Sequence, residues 1–237
     1  MPDSTAIEVK NLRFGWRNDL PEVLHIPALE VALGERIFIR GASGSGKSTL
    51  LALLAGVNLP TRGDVKVLGE TINRLSSVRR DHYRSDHIGF IFQLFNLIPY
   101  LSVLDNVTLP CRFSRVRKEK AVASANSLRG EAMRLLAHLE MADEDLIDRP
   151  VTELSVGQQQ RVATARALIG APEIIIADEP TSALDSDMRK VFLNLLFQEC
   201  EVTGSTLLFV SHDRQLETHF ERHIALDEVN QLVREAL

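Results

Sequence analysis

One stretch constrains this chain more than any other. Gly41-Ala42-Ser43-Gly44-Ser45-Gly46-Lys47-Ser48 sits between an apolar run at 37–39 and an apolar run at 50–55. It matches G-x-x-x-x-G-K-[ST] in full and in the strand–loop–helix setting that pattern requires. Gly41, Gly44 and Gly46 allow the tight turn that aims successive N–H groups, with Ser43 and Ser45 between them, at phosphate oxygens. A helix starting near Lys47 adds its positive dipole end. Lys47 then stands beside the β- and γ-phosphates of a nucleotide, Ser48 offers a hydroxyl to Mg²⁺, and Thr49 reaches toward the α-phosphate.

The rest of the chain suits that loop. Short β-like runs recur at 7–9, 36–39, 65–68, 87–92, 174–177 and 206–210, several of them apolar at successive positions as in strands covered on both faces. Helical stretches alternate with them, at 48–56 and 187–200, so the expected class is α/β with a largely parallel sheet. Between about 94 and 169 the pattern is helical instead. There, 119–139 reads as one long helix or as two broken near Gly130, and 154–168 as another after Pro150. A helical segment between β-rich halves reads as an inserted subdomain.

Composition excludes several classes. Lys plus Arg is 27 against 32 Asp plus Glu, a net charge of −5, which disfavours a dedicated nucleic-acid binder. Two cysteines, Cys111 and Cys200, make neither a disulfide framework nor a zinc cluster, and a reducing compartment is the simplest reading. The polar N-terminus is no secretory signal, and no apolar run approaches the roughly 18 residues that span a bilayer. Any membrane contact is therefore expected to be indirect. Arg112, Arg115, Arg117, Lys118 and Lys120 form a basic cluster, expected as a solvated loop and helix start, with contact to acidic lipid or a partner as the alternative.

The apolar run 174–177 ends in Asp178-Glu179. A carboxylate where a strand leaves the core can hold Mg²⁺ directly or through water, which suits Asp178. Glu179, one residue on, can face the γ-phosphate and polarise an attacking water.

With these two halves of a nucleotide site, the stretch Leu154-Ser155-Val156-Gly157-Gln158-Gln159-Gln160-Arg161 resembles the L-S-G-G-Q-x-Q-R signature of ATP-binding cassette (ABC) ATPases, with Val156 where a glycine is usual. Gln93 resembles the family's Q-loop glutamine, which links the Mg²⁺ site to the helical subdomain. The stretch 182–185 resembles the D-loop that ends in Asp185, which also suits a helix cap. His212 resembles the switch histidine that contacts the γ-phosphate. Trp16 falls where an aromatic ring stacks on adenine, with Phe14 as the alternative. The resemblance covers about 7–226. It implies a RecA-like P-loop NTPase core with an N-terminal antiparallel β-subdomain (about 1–93 and 170–237) and an inserted α-helical subdomain (about 94–169), together one ABC ATPase domain over 1–237.

The resemblance also implies a mechanism. Ser155, Gly157 and Gln158 would meet the ATP held by a second copy, giving a head-to-tail homodimer around two ATP molecules, with Glu179, His212, Gln93 and Lys47 as the catalytic set and Ser48, Gln93 and Asp178 around Mg²⁺. Residues 75–77, 88–99 and 101–107 are similar to the LolD-, MacB- and FtsE-type branch, although 181–185 departs from the Thr-Gly-Asn-Leu-Asp form common in the lipoprotein-releasing type. The implied role is an ATPase subunit coupled to a separate permease of the FtsX/MacB-like kind, peripheral on the cytoplasmic face of the inner membrane. A soluble non-transport ABC ATPase and a nutrient-importer cassette are the alternatives.

Overall fold

Period-two burial dominates the start of the chain and continuous burial the later strands, and the two patterns build different sheets. The computed structural model describes residues 5–17, 19–141, 143–182, 184 and 186–234. In chain order the strands are β1 (Thr5–Phe14), β2 (Leu24–Ala32), β3 (Arg36–Arg40), β4 (Arg62–Val67), β5 (Glu70–Thr71), β6 (Ile88–Ile91), β7 (Ile174–Asp178), β8 (Thr206–Val210) and β9 (Arg222–Ala225). The helices are α1 (Lys47–Leu54), α2 (Ser77–His87), α3 (Val103–Thr108), α4 (Pro110–Phe113), α5 (Arg115–Ala125), α6 (Leu128–His138), α7 (Glu144–Ile147), α8 (Val156–Leu168), α9 (Ser186–Thr203), α10 (Leu226–Val229) and α11 (Gln231–Arg234). The class is α/β, as expected. Two compact units divide the chain, one joining the part up to Arg84 to the part from Thr206 onward, the other Ser85–Ser205.

In the first unit an antiparallel sheet runs in the order β2-β1-β4-β5. Its inward side chains include Ile7, Val9, Leu12 and Phe14 from β1 and Leu24, Ile26, Leu29 and Val31 from β2. Both strands lose their alternation at one level, between Val9 and Leu12 and between Ile26 and Leu29. There Asn11 turns left-handed at φ 49°, and Pro27 sits opposite, tolerated because β2 is an edge strand with no need of that N–H. The same unit holds a parallel set in which β3 pairs with β8 on one side and β9 on the other. Ile37, Phe38 and Ile39 of β3 and every residue of β8 are buried, the continuous apolar signature of a sheet covered on both faces.

In the second unit β6 and β7 pair in parallel, from Ile88 opposite Ile174 to Ile91 opposite Ala177. Helices α3 to α8 lie between these two strands in sequence. The segment 119–139 is two helices, but the break falls at Asn126 and Ser127 rather than near Gly130. Asn126 ends α5 in the left-handed region, and the Ser127 hydroxyl caps α6 by accepting from the Gly130 amide. Gly130 therefore lies in a helical first turn. Helices α6 and α9 are tied by charge. The Arg134 guanidinium bonds Glu131 at 2.9 Å and Glu199 at 3.0 Å, both carboxylates almost fully buried, and His138 pairs with Glu199 as well. Partners on every side are what make a buried carboxylate tolerable.

The basic cluster is only partly solvated. Arg115 and Lys118 are exposed, but Arg117 is 2% exposed. Its guanidinium donates to the carbonyls of Ile169 at 2.6 and 2.8 Å, Ala167 at 2.7 Å and Arg166 at 3.3 Å. These are the carbonyls that the last turn of α8 cannot satisfy within the helix, so a buried cation takes the place of water there. Burial brings the Arg117 group down to about 10, which leaves it charged at neutral pH. Nearby, Lys120 and His87 hold the Glu173 carboxylate just before β7, at 2.7 and 2.9 Å. Burial works to raise that carboxyl, but these bonds outweigh it and bring it down to about 2.

Arg117→Met should therefore lower the unfolding free energy by about 3 kcal/mol, because several buried carbonyls lose their donor. Urea denaturation should show this as a lower midpoint at unchanged slope. Lys118→Met, on the exposed face of the same helix, should change it by less than about 0.5 kcal/mol.

Candidate functional site

Parallel strands deliver their C-terminal ends to one edge, and in open α/β sheets that edge is where ligands bind. In the first unit β3 leaves its sheet at Arg40 and enters the phosphate loop, while β8, in register with it from Ile39 to Val210, leaves at Ser211 and His212. The Ser211 amide donates to the Ile39 carbonyl at 3.3 Å and holds the two exits together. His212 is exposed just beyond. The Asp213 side chain then caps the short 3₁₀ turn Arg214–His219.

The loop is shaped by backbone that only glycine takes readily. Gly44 and Gly46 have φ of 78° and 96°. A Cβ on Gly46 would come within 2.9 Å of Leu24, and one on Gly41 within 2.5 Å of the Ser45 hydroxyl. Gly46 is the N-cap of α1, and no side chain caps that end. Buried Leu50, Leu51, Leu53 and Leu54 anchor the helix, so its amide end is fixed while remaining uncapped. The Lys47 ammonium folds over the loop and donates to the Gly41 carbonyl at 2.7 Å and the Ala42 carbonyl at 3.0 Å. Among the described residues, Ser45 Oγ is the buried side-chain polar atom without a hydrogen-bond partner. Exposed Ser43 and Ser48 and half-buried Thr49 complete the loop. An uncapped helix end, a cation held only by carbonyls and an orphaned hydroxyl fit a phosphate group.

Trp16 lies two residues past the end of β1. It is 59% exposed and meets buried Phe14 edge-to-face at 5.1 Å. Phe14 in turn pairs with Leu24, the residue against Gly46. Trp16, not Phe14, thus has the ring surface available for stacking.

In the second unit β6 and β7 likewise leave together, which brings Gln93 and the Asp178-Glu179 pair to one edge. Gln93 is exposed. The chain after it turns left-handed at Phe95 and Asn96, with φ of 61° and 50°. Arg166 of α8 holds this turn by donating to both carbonyls, at 2.7 Å for Asn96. Burial brings the Arg166 guanidinium down to about 10. Buried Asn106 pins the next turn, accepting from the Ile98 amide and donating to the carbonyls of Ile98, Leu101 and Ser102. Glu179 is buried and sits at φ 48°, a strained position for a residue with a side chain. The turn after it is held by Gln160 of α8, which donates to the Pro180 carbonyl at 2.6 Å. Hard oxygen donors such as the Ser48 hydroxyl, the Gln93 amide and the Asp178 carboxylate suit Mg²⁺ chemically.

Ser155 and Gln158 serve each other. Ser155 caps α8 by accepting from the Gln158 amide at 3.3 Å, and the Gln158 side chain accepts from the Ser155 amide at 2.9 Å, a closed capping box. Val156 is 53% exposed, and nothing lies within 4 Å of a Cβ placed on Gly157. The chain's own packing therefore does not demand glycine at 157. Asp185 lies outside the described residues. Sequence reasoning did not single out Gln160, Arg166 or Asn106. A charged residue inside the small-residue stretch Ala163-Thr164-Ala165-Arg166-Ala167 was the available signal for Arg166.

The comparisons agree with this geometry. The ABC transporter family profile matches residues 24–182. The chain is 38% identical to the ABC transporter ATP-binding protein YbbA of Escherichia coli strain K12, over 95% of this chain and 96% of that one. It is 37% identical to the lipoprotein-releasing system ATP-binding protein LolD of Syntrophotalea carbinolica, over 92% and 93%. The macrolide export ATP-binding/permease protein MacB of Pasteurella multocida is 38% identical over 95% of this chain, which spans only 34% of that longer protein. Among solved structures, the ATP-binding cassette MJ0796 in a dimeric post-hydrolysis state bound to ADP and Pi superimposes with a TM-score of 0.81 at 38% identity, over 92% of this chain and 93% of that one. With its phosphate loop, signature helix and relatives of the YbbA, LolD and MacB type, the chain belongs to the ABC transporter family as an ATP-binding cassette.

Proposed function

We propose that this cassette hydrolyses ATP and couples the closing and opening of a cassette pair to a separate transmembrane permease. The observation that carries the reading is the phosphate loop, an uncapped helix end under a lysine that bonds only the loop's own carbonyls. A triphosphate offers that lysine stronger, charge-assisted acceptors than those carbonyls. The backbone of Gly41, Ser43, Gly44, Ser45 and Gly46 and the side chains of Lys47, Ser48 and Thr49 bind the phosphates, and Trp16 stacks on the adenine.

Glu179 is the general base that takes a proton from the attacking water, and its buried, left-handed placement keeps the carboxylate in one direction. Gln93 orients that water, and His212 contacts the γ-phosphate. Ser48, Asp178 and Gln93 would hold Mg²⁺, which would supply charge neutralisation on the phosphate oxygens. The catalytic set is therefore Glu179, His212, Gln93 and Lys47.

Ser155, Gly157 and Gln158 at the start of α8, with Asp185, complete the neighbouring copy's nucleotide site. The space around Gly157 supports this role, as does the dimeric state of the MJ0796 structure. Residues 94–169 act as the helical subdomain that receives the permease. Leu94 and Tyr100, each 82% exposed and close to Gln93, are apolar surface of the kind a partner covers. No helix among the described residues is long and apolar enough to cross a membrane. The printed name of MacB joins an ATP-binding part to a permease, which supports coupling of this cassette to a permease. Association with the cytoplasmic face of a membrane then follows through that partner.

Glu179→Gln should retain ATP binding and lose at least about 100-fold in turnover, the scale of a general base. Single-turnover hydrolysis at the wild-type rate would remove the base assignment. Lys47→Ala should raise the Kd for Mg-ATP by about 10- to 100-fold, the cost of a charge-assisted contact. An unchanged titration would contradict the phosphate role of the loop. Detergent extraction with the chain tagged should recover a membrane protein if the coupling reading holds.

A further inference from the structure

The floor beneath the phosphate loop is built by residues far away in sequence. Val23 and Leu24, at the entry to β2, are the side chains closest to Gly46, and Leu226, the first residue of α10, lies against Gly41. Both Leu24 and Leu226 are fully buried. β2 is the edge of its sheet, so its outer polar groups need a partner from elsewhere. Asn230, 1% exposed at the end of α10, supplies it. Its carbonyl oxygen accepts from the His25 amide at 2.9 Å, and its amide donates to the Val23 carbonyl at 3.0 Å. The carboxamide thus pairs with the strand edge as a peptide group would. On the inner side the Val23 amide donates to the Phe14 carbonyl at 2.7 Å. The backbone at Val23 is therefore bonded on both sides, and the side chains that Gly46 turns against cannot drift.

We propose that Asn230 is a positioning residue for nucleotide binding: its carboxamide fixes the entry of β2, and through Leu24 and Val23 it sets the left-handed turn at Gly46 that aims the loop's amides. Asn230 touches no phosphate itself. The role rests on the reading of this loop as an ATP site and extends it to a residue outside every nucleotide-binding motif of the chain. Because coupling between two sites is reciprocal, ATP in the loop must stabilise the Asn230 pairing by the same factor by which that pairing favours ATP.

The test uses the full chain as wild type, Asn230→Leu and Asn230→Asp, with Mg-ATP titrated against each at a temperature where circular dichroism shows the protein folded. Asn230→Leu should bind about tenfold more weakly. Asn230→Asp, which keeps an acceptor for His25 but loses the donor to Val23, should fall between it and wild type. In wild type, saturating Mg-ATP should slow hydrogen exchange of the His25 amide about tenfold more than it slows amides at the β4–β5 edge of the same sheet, a local response that a merely structural side chain would not give. Wild-type affinity in the folded variants would overturn the proposal. If Asn230→Leu does not fold, Asn230→Asp and the His25 amide decide it, and exchange at His25 that ATP slows no more than at the β4–β5 edge overturns it. Wild type that fails to bind Mg-ATP at millimolar concentration would overturn the ATP reading itself and this role with it, whereas binding with unaffected variants overturns this role alone.

Discussion

The lysine ammonium folded across the phosphate loop is the interaction on which the nucleotide-facing half of the molecule turns. A cation that bonds two backbone carbonyls is satisfied but not neutralised, and the helix end beside it has no side-chain cap. Both features make the loop a positive concavity awaiting an anion. The surrounding fold keeps it so. β3 feeds the loop from a strand buried on both faces, α1 is anchored by four leucines, and Leu24 stands where any side chain on Gly46 would have to go. Rigidity matters because amides aimed before the ligand arrives need no reorganisation when it binds.

In the second unit the corresponding organiser is a single helix. α8 begins in a closed capping box and ends on the buried Arg117 guanidinium, so each of its ends has side-chain partners for part of its orphan backbone groups. From its interior Gln160 reaches the turn that follows Glu179, and Arg166 reaches the turn that follows Gln93. The helix that carries the exposed start is thereby connected to both turns through hydrogen bonds to backbone. That arrangement gives a physical route from the signature residues to the proposed catalytic edge within one unit.

Much of this was legible in the sequence because the relevant positions tolerate few residue types. The phosphate loop needs glycine and lysine at fixed spacing, and strands covered on both faces read as apolar runs. Other elements were hidden for definite reasons. β2 reads weakly as a strand because Pro27 interrupts its period-two pattern, and β9 is only four residues long. The break between α5 and α6 lies before Gly130 because a left-handed asparagine ends one helix and a capping serine starts the next, which leaves Gly130 inside a helical first turn. Arg117 read as one of five solvated cations, since nothing local reveals that the end of a helix some fifty positions later needs a donor. The tie from Asn230 to β2 is equally silent in sequence, because it joins residues 205 positions apart.

The account's central claim is that the exposed start of α8 on one copy completes the phosphate loop of another. The most direct measurement is disulfide trapping with Ser43→Cys and Ser155→Cys placed together in the Glu179→Gln background, where the native Cys111 and Cys200 are buried. The account predicts a chain-to-chain crosslink that forms with Mg-ATP and is lost with ADP. A crosslink yield indifferent to nucleotide, or bridging confined to single chains, would contradict it.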